Sequence, residues 1–81
     1  DVWCAWQCDR PDQKAGFAVF FRRGAAKQES QRFKLGGLSS RATYTVEFYG
    51  GPKIAVKGSE LQNWGCTLGP RAFQLIFYQK Q

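Results

Sequence analysis

The side chains of this sequence that could do chemistry are six carboxylates and three thiols: Asp1, Asp9, Asp12, Glu29, Glu47, Glu60, Cys4, Cys8 and Cys66. There is no His. Without an imidazole base, a Ser, Thr or Cys nucleophile has no triad partner. Cleavage of an acetal by two carboxyls needs the pair to face each other across the substrate, about 5–9 Å apart. Nothing in the pattern forces such a pair. Asp9 and Asp12 flank a turn, Glu47 takes an outward position on its strand, and Glu60 falls in a first helical turn, where its charge suits the dipole. Gly36-Gly37 and Gly50-Gly51 read as hairpin punctuation, since neither opens a helix to cradle a phosphate.

The thiols give no metal site either, because a zinc site would need a fourth ligand in a familiar spacing. Cys4 and Cys8 lie on one extended strand, with Cα atoms about 13 Å apart, too far to bridge. Cys66 could meet one of them across the fold. The preferred reading makes all three small buried hydrophobes. An odd count of unpaired thiols leans toward a reducing, cytoplasmic compartment.

Aromatic residues carry more information: seven Phe, three Tyr and three Trp in 81 residues. On the first strand Trp3 shares a face with Ala5, whereas Trp6 shares the other with Cys4 and Cys8. One indole must therefore point away from the core, ready to dock on another domain or to stack on a sugar. Trp3, Trp6, Trp64 and Tyr49 form the candidate set for docking or sugar stacking. The run Lys14-Ala15-Gly16-Phe17-Ala18-Val19-Phe20-Phe21 partly echoes the basic-Gly-aromatic strand of RNA-recognition and cold-shock modules. Ala15 intrudes and Val19 replaces an aromatic, so nucleic acid ranks last among the partners. The twelve Lys and Arg against six Asp and Glu give a net charge of +6, spread along the chain as a solvated basic surface.

The elements that position these residues are short alternating strands. Val2–Gln7 ends in the turn cluster Asp9-Arg10-Pro11-Asp12. Gly16–Arg23 is apolar on both faces, with Phe17, Val19 and Phe21 opposed to Ala18, Phe20 and Arg22, which marks a central strand. Gly24-Ala25-Ala26 breaks it. Glu29–Leu35 alternates Phe33 and Leu35 with Arg32 and Lys34. Thr43–Phe48 and Lys53–Lys57 form a hairpin burying Tyr44, Val46, Phe48, Ile54 and Val56. Ser59 as N-cap, Gln62 three residues on and Gly65 as stop signal a helical turn or two. Thr67-Leu68 adds a brief strand, and Ala72–Tyr78 closes the chain. The fold class is all-β: a small antiparallel β-sandwich of about seven strands with one short helical turn. No apolar run approaches the roughly 20 residues of a spanning helix, so no membrane partner follows.

Two stretches together resemble a known family. Trp3-Cys4-Ala5-Trp6-Gln7, then Asp9-Arg10-Pro11-Asp12, Gly16 and Phe21-Arg22-Arg23, is similar to the start of the C-terminal β-domain of α-galactosidase-like glycoside hydrolases, family 36 and relatives. Phe33-Lys34-Leu35, Gly37-Leu38, Ala42-x-Tyr44-x-Val46, Val56-x-Gly58-Ser59-Glu60-Leu61 and Gly65 resemble its continuation, and Phe73–Tyr78 its closing strand. Gly50-Gly51-Pro52 departs from an acidic turn in the family, and Cys8 stands where an aromatic or apolar residue is expected. The resemblance implies a single C-terminal accessory domain over residues 1–81. Such a domain packs on and stabilises a catalytic (β/α) barrel absent from this chain, which itself has no catalytic residue, metal or cofactor. A start at Asp1 with no Met is expected of a piece or processed domain of a longer product. A carbohydrate-binding module with an aromatic platform is the alternative, and a single-strand nucleic-acid-binding β-barrel the second.

Overall fold

The computed structural model describes residues 3–24 and 26–81. In chain order it contains β1 (Trp3–Arg10), β2 (Ala15–Arg22), β3 (Ser30–Lys34), β4 (Thr43–Phe48), β5 (Lys53–Lys57), α1 (Gly58–Leu61), β6 (Asn63–Thr67) and β7 (Phe73–Lys80). Five strands form one sheet in the order β1-β2-β7-β4-β5, and β3 pairs with β6 in a second. Every pairing is antiparallel. The all-β sandwich expected from the alternation is therefore what the chain builds. Val2, the Asp1 carboxylate and the Ala25 part of the strand break lie outside the described residues.

Local chemistry sets the hairpins. Pro11 presets its own φ for the second position of a turn, which Gln13 closes by donating to the Arg10 carbonyl at 3.0 Å. Lys14 then takes a left-handed φ of 55° to bring the chain back into β2. Between β4 and β5 the same conformation falls on Gly50, at φ 71°, where it meets no Cβ penalty.

The core lies between the sheets. Ala18, Phe20, Tyr44, Val46, Val56, Ile76 and Tyr78 come from the inner face of the large sheet, met by Leu35, Leu61 and Cys66. Phe33 of β3 sits with its ring centroid 5.0 Å from that of Phe20, joining the layers. Fully burying one such side chain stabilises by about 1.5–3 kcal/mol. At the β1 edge the Gln7 amide mimics a strand. It donates to the Gly36 carbonyl at 2.8 Å and accepts from the Gly36 N–H at 2.9 Å.

Several expectations need correction. The helical turn spans Gly58–Leu61, its N-cap is Lys57, and no side chain caps it. The freed N–H groups of Gly58 and Ser59 donate instead to the carbonyls of Ala42 and Ser40, and the Gln62 amide donates to Leu38. Tertiary partners thus replace the capping box, and Gly65 lies within β6 rather than stopping a helix. Ile54 is 41% exposed, because β5 is an edge strand and the two-stranded sheet is too narrow to cover it. Cys4 and Cys8 are exposed, and only Cys66 is buried. All three are free thiols, so the Cys66 bridge does not form. Cys4 and Cys8 occupy the outward positions of β1, where the second sheet offers no cover.

Candidate docking face

The outer face of the large sheet is built by parity. In β2 the inward set Ala18, Phe20 and Arg22 leaves Phe17, Val19 and Phe21 outward. β7 does the same, with Ile76 and Tyr78 buried and Phe73 and Phe77 exposed. Register then aligns these rows across three strands. Cys4 faces Phe21, which faces Phe73; Trp6 faces Val19, which faces Leu75; Cys8 faces Phe17, which faces Phe77. The Phe17 and Phe77 rings are 6.3 Å apart and tilted at 55°. Trp6 stands 78% exposed in the middle of the β1 row.

Around Trp6 the face dips into a groove of about 590 Å³, lined by Cys4, Ala5, Val19, Phe21, Phe73 and, at one end, Arg23. The β4–β5 half of the same face is different. Thr43 pairs with Lys57, Thr45 with Ala55 and Glu47 with Lys53, so that half is polar. Tyr49 lies just past β4, 68% exposed, with its N–H donating to the Leu75 carbonyl at the margin between the halves. Exposed apolar patches of this kind occur where proteins meet partners, membranes or ligands.

The other two candidates sit elsewhere. Trp3 packs inward against Phe33 at 5.9 Å, and its indole N–H donates to the Gln28 carbonyl at 3.1 Å. Trp64 packs against Phe48 at 6.0 Å and donates to Gln74 Oε1 at 2.8 Å. Both indoles are half-buried and hydrogen-bonded between the layers, so the structure does not bring the four candidates together. The residues that join Trp6 are Phe17, Phe21, Phe73 and Phe77, which a search favouring Trp and Tyr passes over. The signal for Phe17 and Phe21 was the double apolar face of the second strand.

Gln7, Asp9 and Tyr78 are committed to holding the fold. Tyr78 donates its hydroxyl to Asp9 Oδ1 and accepts from Gln7, both at 2.8 Å. Burial pushes the Tyr78 phenol up to about 12, the carboxylate of Asp9 adding to the rise while the Gln7 hydrogen bond opposes it. Burial alone raises the Cys66 thiol to about 11. Asp12 pairs with Arg10 at 3.4 Å on the surface. Among the described residues no cluster of three or more His, Cys, Asp or Glu could hold a metal ion.

Comparison with curated proteins and with solved structures gave no match. A family model does match, over residues 3–78, nearly the whole described chain: the glycosyl hydrolase family 36 C-terminal domain. The ordered motifs from Trp3 to Tyr78, the seven-stranded sandwich and this match agree, and the chain belongs to the family of glycosyl hydrolase family 36 C-terminal domains.

Proposed function

We propose that this chain is a non-catalytic accessory domain that docks on the catalytic (β/α) barrel of the same glycoside hydrolase and stabilises it. The observation that carries the proposal is the apolar outer half-face on β1, β2 and β7, centred on Trp6. The inner face of that sheet already has its cover in the core, so the outer aromatics pack only against one another and leave much of their surface in water. Covering them is what a second body supplies. The four Phe rings have about half of their surface left to bury and Trp6 has 78%, each Å² of apolar area contributing roughly 25 cal/mol.

A sugar-stacking role for Trp6 is the weaker reading. Sugar hydroxyls need fixed polar partners beside the ring, and the groove offers apolar side chains and the single cation Arg23. In the full-length enzyme, Trp6→Ser is expected to weaken docking by about 2–4 kcal/mol. Calorimetry should then show one shared unfolding transition splitting into two. In the 81-residue chain alone the same change should leave the melting temperature nearly unmoved. An unaltered single transition in the full-length variant would contradict the proposal.

A further inference from the structure

The groove beside Trp6 ends in a charge, and that charge specifies its partner. Arg23 lies one residue past the end of β2 and lines the groove together with Cys4, Trp6, Val19, Phe21 and Phe73. Among the described residues the one ion pair is Arg10 with Asp12, at the opposite end of the β1–β2 hairpin. Two more guanidiniums sit at the Arg23 end. Arg22 is buried and donates to the carbonyls of Leu68 and Ala26, and Arg71 lies against Gly24. On the strands of the outer face the carboxylate is Glu47, which stands between Phe77 of β7 and Lys53 of β5, in the row of Cys8 and Phe17 rather than that of Cys4, Phe21 and Phe73. Among the described residues Arg23 thus has no ion-pair partner, and it stands as a cation at the lip of an apolar groove.

A body that covers the groove strips water from Arg23. Removing that hydration is unfavourable unless an opposite charge replaces it. A planar guanidinium is best matched by a carboxylate, which accepts two parallel N–H bonds. We infer that the surface seated in this groove is an apolar ridge bordered by an Asp or Glu side chain that pairs with Arg23. The inference rests on the docking reading and adds the chemistry of the partner.

The thiol of Cys4 reports on the groove directly, because it is exposed and lines it. The test is the rate of Cys4 alkylation by a water-soluble maleimide, mapped by mass spectrometry, in the full-length enzyme. Cys4 is expected to react far more slowly there than in the 81-residue chain. Arg23→Gln should raise its rate about tenfold, Arg23→Glu roughly tenfold again through like-charge repulsion, and Arg23→Lys much less than either. Lys53→Glu on the polar half should leave the rate unchanged. If Trp6→Ser unmasks Cys4 while Arg23→Glu acts no more strongly than Arg23→Gln, the acidic partner is refuted and docking stands. If Cys4 reacts equally fast in the full-length enzyme and the isolated chain, docking itself is refuted.

Discussion

Tyr78 shows how a single residue ties sequence to stability. Its ring fills the core, while its hydroxyl is held between Gln7 and Asp9. The folded-state value, about 12, stands above the ordinary 10, so its stabilising contribution is whole below pH 10 and is lost as pH rises toward 12. Cys66, raised from 9 to about 11, acts with the same sign over a lower window. Tyr78→Phe should therefore flatten the alkaline loss of stability between pH 10 and 12 without abolishing it. At neutral pH it should cost about 1–2 kcal/mol, because Asp9 and Gln7 lose a partner. Urea unfolding across that pH range checks both, and an unchanged alkaline slope would refute the role given to Tyr78. At this scale the opposition of Trp3 and Trp6 was legible from parity alone. The outward destination of Phe17, Phe21, Phe73 and Phe77 was not, since the buried faces carry Arg22 on β2 and Gln74 on β7 while the outward ones present Phe17, Val19 and Phe21 on β2 and Phe73, Leu75 and Phe77 on β7. Arg22 is buried because the carbonyls of Leu68 and Ala26 receive it, and those come from loops distant in sequence.

At the scale of elements, the strands announce themselves through period-two alternation and Gly or Pro punctuation. Thr43–Phe48 and Lys53–Lys57 emerge with the boundaries that the pattern predicts. The helical turn was legible in place but not in cause. Ser59 and Gln62 suggested local capping, whereas carbonyls of the β3–β4 connection take the helical N–H groups. This close approach is possible because position 58 is glycine. A Cβ there would run into the Ser39 carbonyl and crowd Ser40. Gly58→Ala is accordingly expected to destabilise the chain by roughly 2–3 kcal/mol by forcing the β3–β4 connection away from α1. Chemical denaturation measures this, and a variant as stable as the parent would show that the connection yields without cost. Ile54 is the other lesson of this scale. Alternation fixes which way a side chain points, but whether anything waits there depends on the widths of two sheets.

The whole molecule presents two unlike faces, one covered by the β3–β6 sheet except at the β5 edge and one left apolar over β1, β2 and β7 yet polar over β4 and β5. That asymmetry locates the expected contact on half a sheet, with Arg23 and Tyr49 at its margins. Hydroxyl-radical footprinting of the full-length enzyme against the 81-residue chain tests it most directly. The docking account predicts strong protection of Trp6, Phe17, Phe21, Phe73 and Phe77 in the full-length enzyme, with the outward side chains of β4 and β5 labelled equally in both. Equal labelling of Trp6 and its Phe neighbours in the two forms would contradict it.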